Sequence, residues 1–125
     1  TTLLIGDLAF LHDLNSLAMV RETGVSFVLV LINNNGGGIF HLLPIAEHNP
    51  HFEKFWGTPH GLTFGTVAAT FGLTYVRPDT MTAFHSAFTT AHQSSQPTII
   101  EIGTARDETA GLIHSLQNEI KALSV

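Results

Sequence analysis

The sequence contains no cysteine. That excludes a disulfide framework and any thiolate metal site. Lysine and arginine together number 5, against 10 aspartates and glutamates, for a formal net charge of −5. Five scattered cations cannot build the basic stripe that nucleic-acid phosphates require, so no nucleic-acid partner is expected. No apolar run reaches the ~20 residues of a membrane span. The opening TTLLIG (Thr1–Gly6) lacks the basic lead and cleavage site of a secretory signal, and the expected location is the cytoplasm. Charged residues make up only 12% of the 125. A free-standing domain carries about 25%, so part of this surface is expected to meet other protein.

What is present is a chain that is 44% hydrophobic, of one-domain length and able to bury a proper core. It begins abruptly: Thr1–Ile5 reads as a buried strand with no cap or lead-in. The expectation is that these residues lie inside a larger protein, so that the domain is truncated at its N-terminus.

Leu3–Ile5 and Phe27–Ile32 show no polar alternation and read as strands buried on both faces. Between them Phe10, Leu11, Leu14, Leu17, Ala18 and Arg21 recur at helical spacing, and Gly24 supplies a stop. Strand, helix and strand over about thirty residues make a βαβ unit with parallel strands. Phe40–Gly61 reads as a long irregular segment with four histidines, three prolines and Trp56; such loops usually have a function. Leu62–Phe71 returns to helical spacing and stops at Gly72. Leu73–Val76 is a short strand, Pro78–Thr80 caps a helix over Met81–His92, and Thr98–Ile102 is a further buried strand. Asp107 or Thr109 opens a last helix that ends near Leu123. Its stripe of Leu112, Leu116, Ile120 and Leu123 reads as a core-facing side. The alternation predicts a doubly wound α/β domain with a mainly parallel sheet.

Ligands of such sheets bind beyond the carboxyl ends of the strands. The first strand ends in Gly6–Asp7, the second in Asn33–Asn34–Asn35–Gly36. Adjacent parallel strands lie about 5 Å apart, so the Asp7 carboxylate and an asparagine amide oxygen can converge. Carboxylate, amide and backbone carbonyl oxygens are hard ligands that suit Mg²⁺, which shares its remaining positions with water and phosphate. Gly36–Gly38 allow close backbone approach, and the helix starting near Ala9 aims its N-terminal amides at the same mouth. A cation on Asp7 and Asn34 beside a diphosphate satisfies both halves; local physics does not name the molecule.

Gly-Asp closing one strand and Asn-Asn closing the next resemble the signature of thiamin-diphosphate enzymes, with Leu8 where that signature usually has glycine. GDLAFLHDLNSLAMV followed by INNNGGGIFHLLP resembles one branch most closely, the 2-succinyl-5-enolpyruvyl-6-hydroxy-3-cyclohexene-1-carboxylate synthases of menaquinone and phylloquinone biosynthesis. YVRPDT and TIIEI extend the likeness along the chain.

That resemblance implies a three-layer α/β/α fold in which residues 1–125 are the C-terminal part of the diphosphate-binding domain. It implies thiamin diphosphate with Mg²⁺ or Mn²⁺ as cofactors, and Asp7, the Asn34 side chain and the Gly36 carbonyl as metal ligands. Gly6, Leu8, Ala9, Gly37, Gly38 and Ile39 would line the cofactor, while Ile39, Phe40 and Leu43 would form an apolar wall toward the substrate. The family is a carboligase that decarboxylates 2-oxoglutarate and adds the succinyl unit to isochorismate. Its activating glutamate comes from a separate domain, usually of a partner subunit in a homodimer or homotetramer. Glu47, Glu53, Glu101, Glu108 and Glu119 match no such motif, and Arg21, Arg77 and Arg106 lie in segments not brought to the mouth. No catalytic residue is therefore assigned, and the isolated chain is expected to be inactive.

Other readings stand beside these. Asp7 also reads as a helix cap, a reading the Asn-Asn partner outweighs. Gly36–Gly38 also read as a flexible turn, and the Asn-Gly run as a hairpin corner pairing Ile39–Ile45 back onto Phe27–Ile32, against which Pro44 and the missing alternation speak. His41, His48, His51 and His60 fit no close-spaced zinc pair and read as solvated loop residues or as contacts to other parts of the protein. Phe52, Phe55 and Trp56 are either an interface patch or folded onto the core. On function, the alternatives are another thiamin-diphosphate decarboxylase or carboligase, and a non-catalytic module on a flavodoxin-like scaffold.

Overall fold

The structure, a computed structural model, describes residues 1–48 and 50–123. It divides into two compact units, one made of Thr1–Asn33 and Leu62–Gly103, the other of Asn34–Gly61 and the chain from Thr104 onward.

The first unit is built on a parallel sheet of strands β1 (Thr2–Gly6), β2 (Val28–Asn33), β3 (Thr74–Val76) and β4 (Thr98–Gly103), in the order β1-β2-β4-β3. Central β2 and β4 carry the unbroken apolar runs, and their side chains alternate between two cores. Leu29, Leu31 and Ile99 face α1 (Asp7–His12), α2 (Leu17–Glu22) and α3 (Gly65–Thr70) through Phe10, Leu17, Phe64 and Ala68. Val28, Val30 and Ile100 face α4 (Met81–Gln93) through Phe84, Ala87, Phe88 and Ala91. Helices thus cover both faces, as the doubly wound reading expected. Thr80 caps α4 by accepting from the Ala83 N–H at 3.1 Å.

Three expectations need correction in this unit. β1 is an edge strand, and Leu4 is 68% exposed. An apolar run is buried on both faces only where a helix lies above it, and α4 contacts β2 and β4. The helical stretch from Phe10 to Arg21 is interrupted: α1 ends at His12, and a 3₁₀ turn at Leu14–Ser16 leads into α2. The Ser16 hydroxyl donates to the Asp13 carboxylate at 2.6 Å, a local bond that competes with helix continuation. The third helix is shorter than the pattern implied, starting at Gly65.

The second unit is not the irregular loop its composition suggested. Gly38–Leu42 and Pro44–Glu47 form 3₁₀ turns, Glu53–Gly57 a π turn, and α5 spans Arg106–Leu123. No antiparallel pairing of Ile39–Ile45 with β2 occurs among the described residues, so the hairpin reading falls. The stripe on α5 is also corrected. Leu112, Leu116, Ile120 and Leu123 are 48–84% exposed, whereas Ala110 is buried. The side of α5 that packs on the Gly38–Leu42 turn carries Arg106, Thr109, Ala110 and Ile113. Small residues there allow close approach and leave the leucines outside.

Candidate cation and diphosphate site

In the first unit Gly6 pairs with Ile32 and Asn33 with Gly103 at the carboxyl end of the sheet. Asp7 is the first residue of α1 and is buried at 3% exposure. Gly6 occupies the cap position and has no side chain to offer, while the Leu8 N–H donates to Asp7 Oδ1 at 2.7 Å. A carboxylate at a helix start is electrostatically favoured. Gly6, Leu8 and Ala9 lie beside it in the same turn.

Asn33 is held in place by a buried acid. Glu101, on central β4, is fully buried. Its Oε1 accepts from Asn33 Nδ2 at 2.8 Å, and its Oε2 from the Phe64 N–H at 2.8 Å and the Tyr75 hydroxyl at 2.9 Å. Arg77 Nε stands 3.7 Å from Oε1, so the carboxylate is surrounded by donors. Burial, the hydrogen bond to Glu101 and the negative charge of Glu101 push the Tyr75 phenol up to about 12. Asn33 Nδ2 also donates to the Leu62 carbonyl at 2.8 Å. The sequence did carry a signal for this network: an acid between Ile100 and Ile102 in an otherwise apolar strand must be buried, and a buried carboxylate needs donors.

The three asparagines separate by role in the second unit and at its border. Asn33 belongs to the sheet. Asn35 is left-handed at φ 63° and accepts from the N–H groups of His60 (3.0 Å) and Gly61 (2.7 Å), closing a turn. Asn34 alone of the three has a buried side-chain oxygen with no hydrogen-bond partner. An orphaned buried amide oxygen is costly, and a hard divalent cation is the kind of partner it fits.

The glycines turn out to be required by the protein's own backbone. Gly36 has φ 125°, and a Cβ there would collide with the Gly57 carbonyl; one at Gly37 would strike the Trp56 carbonyl, and one at Gly38 the Asn34 amide. The Gly37 N–H donates to the Gly57 carbonyl at 2.8 Å, and the Gly38 N–H to the Gly36 carbonyl at 2.9 Å. Beyond the glycines, Ile39 is 71% and Leu43 50% exposed, while Phe40 folds its ring against Gly37.

Arg106, set aside on sequence grounds, joins Asn34 in this unit. With Asn35, His41, Glu53 and Asp107 they line a cavity of about 400 Å³. Arg106 Nη2 donates to Glu53 Oε2 at 2.7 Å and Nη1 to the Gly57 carbonyl at 2.9 Å. His41 is not solvated: it packs edge-on against buried Phe52, its Nε2 lies 3.5 Å from Glu53 Oε1, and its Nδ1 is buried without a partner. His48 and His51 are exposed. Among the described residues no three histidine or acidic side chains converge as a metal site. The aromatic segment divides, with Phe52 buried and Phe55 59% exposed.

The family model for the thiamine pyrophosphate enzyme, C-terminal TPP binding domain, matches residues 1–102. The 2-succinyl-5-enolpyruvyl-6-hydroxy-3-cyclohexene-1-carboxylate synthase of Rubrobacter xylanophilus is 52% identical over 115 residues, which are 92% of this chain and 20% of that protein. The synthase of the same name from Chlorobium chlorochromatii is 50% identical over 106 residues, 85% of this chain and 18% of that protein. The chain thus spans about a fifth of the length of these relatives. The crystal structure of benzoylformate decarboxylase from Polynucleobacter necessarius matches with a TM-score of 0.72 over 84% of this chain and 19% of that one. At 16% identity that likeness is one of fold alone.

Proposed function

Since the chain belongs to the thiamine pyrophosphate enzyme family, as its C-terminal TPP binding domain, we propose that it holds the cation and diphosphate of a thiamin-diphosphate-dependent carboligase. The proposed enzyme is a cytoplasmic homo-oligomer that decarboxylates 2-oxoglutarate and adds the succinyl unit to isochorismate, in menaquinone or phylloquinone biosynthesis. The names of the relatives at about half identity support that choice within the family. No helix among the described residues is long and apolar enough to cross a membrane.

The observation that carries the reading is the Asn34 side-chain oxygen, buried and without a partner between two asparagines that are both engaged. In the proposal Asp7, Asn34 and the Gly36 carbonyl hold Mg²⁺ or Mn²⁺. Gly6, Leu8, Ala9, Gly37, Gly38 and Ile39 line the diphosphate end, and Ile39, Phe40 and Leu43 present apolar surface that keeps water from the reacting carbons. Thiamin diphosphate, when bound, supplies the electron sink for loss of CO₂. Asp7 acts as an anionic ligand, not as a base. Glu101 is saturated by donors and Glu53 is paired with Arg106, so neither is spare for activating the cofactor ring. The activating glutamate is assigned to another domain or subunit, and the 125-residue chain alone should give no turnover.

Calorimetric titration of thiamin diphosphate into the full-length protein, with Mg²⁺ and again with EDTA, tests the cofactor assignment. Binding should need the cation and be lost in Asn34→Ala. Cation-independent binding, or an unaffected Asn34→Ala variant, would reject the site. Product formation with isochorismate but not with simple aldehydes tests the acceptor.

A further inference from the structure

Arg106 lies outside the residues the family model matches, yet it is tied to the glycine turn through a single atom. The Gly57 carbonyl oxygen accepts both the Arg106 Nη1–H at 2.9 Å and the Gly37 N–H at 2.8 Å. The same guanidinium grips the Glu53 carboxylate, so residues 53 and 57, the two ends of the π turn, are fixed by one rigid fork. Its side chain is only 13% exposed, where a charge-assisted pair is less screened than at the surface. Gly57 is glycine for this reason: a Cβ would lie 2.7 Å from both Arg106 Nη1 and Glu53 Oε2. On the far side of that peptide, the Cβ positions of Gly36 and Gly37 are filled by the Gly57 and Trp56 carbonyls. The place of the Gly36 carbonyl and the Asn34 side chain therefore depends on where the strip 56–58 sits.

We propose that Arg106 is a positioning residue for the cation site: through Glu53 and the Gly57 carbonyl it locks the strip that sets the Asn34–Gly38 turn. The inference rests on the cofactor reading above and adds a residue to it. Lysine cannot replace it, because an ammonium reaches one acceptor or the other without the planar fork that spans both.

The experiment uses the full-length protein and two readouts apart from turnover. Mn²⁺ affinity in the presence of thiamin diphosphate is measured by electron paramagnetic resonance, and amide hydrogen exchange is followed at Gly37 and at Val30 in the sheet core. Arg106→Lys should weaken Mn²⁺ binding by about 10- to 100-fold, the range seen when a group orienting a metal ligand is lost. Exchange at Gly37 should quicken while Val30 keeps its protection. Glu53→Gln, which leaves the bond to Gly57 in place, should show the same pattern more weakly. If Arg106→Lys does not fold, Glu53→Gln decides on the same two readouts. Wild-type Mn²⁺ affinity in a folded variant overturns the inference, as does a loss of affinity matched by equal loss of protection at Val30. Failure of the wild-type protein to bind Mn²⁺ with thiamin diphosphate sinks the cofactor reading itself, and is visible before any variant is made.

Discussion

The Tyr75 hydroxyl donates to Glu101 Oε2 at 2.9 Å, joining the middle of an edge strand to the most deeply buried acid of the sheet. Burial and the adjacent carboxylate both disfavour a phenolate, and together they push Tyr75 up to about 12 from its ordinary value of 10.0. The folded phenol stays protonated where the unfolded one ionises, so the contribution is complete below pH 10 and fades as the pH climbs toward 12. Tyr75 is the sole tyrosine. Tyrosinate absorbance should therefore rise near pH 12 in the native protein and near pH 10 in urea, and Tyr75→Phe should abolish it. A native midpoint at 10 would contradict the geometry.

Removing the acid itself should be severe. Glu101→Ala leaves Asn33 Nδ2, the Phe64 N–H and the Tyr75 hydroxyl around an empty buried space. A loss of about 3–5 kcal/mol in urea unfolding is expected for such a broken buried network. Glu101→Gln keeps the shape but aims a donor at donors, and should cost about 1–3 kcal/mol.

Two glycines should respond oppositely to the same substitution. Gly36→Ala meets the Gly57 carbonyl at a backbone φ of 125°. It should lose about 1–3 kcal/mol from steric conflict and, under the proposed function, weaken cation binding at the turn. Gly111 lies within α5, and a Cβ there finds open space. Gly111→Ala should gain about 0.5–1 kcal/mol from helix propensity. Thermal unfolding of the pair checks both signs.

The exposed leucines of α5 should be tolerant. Leu112→Gln and Leu116→Gln alter side chains that are 62% and 48% exposed, so each should stay within about 0.5 kcal/mol of the parent. Leu31→Ala, at a fully buried position, should cost about 2–5 kcal/mol. If the α5 changes were as damaging as the core change, that face would be covered in solution.

The strand and helix order of the sheet unit was legible because burial against a regular element imprints a period on the chain. The unbroken runs 28–32 and 98–102 are central strands, and Thr80 caps the helix it precedes. Runs near an edge or on an outer helix carry the same letters, however. Leu3, Leu4 and the stripe Leu112, Leu116, Ile120 and Leu123 are apolar without being enclosed, since composition records affinity for a covered environment and not whether a covering layer is present. The four short turns between residues 14 and 57 were equally hidden, because each rests on local bonds that have no period.

The residue types of the proposed cation and diphosphate site were set by the chain alone: an acid after one strand, asparagines and glycines after the next. Which asparagine oxygen is left buried without a hydrogen-bond partner was decided by the fold, because the partners that engage Asn33 and Asn35 come from residues 60–62 and 101. The same holds for Gly36 and Gly37, which read as openings for a ligand and serve to admit the backbone of residues 56–58. Sequence lists the donors and acceptors a protein owns; only folding determines which of them have already been consumed by contacts distant along the chain.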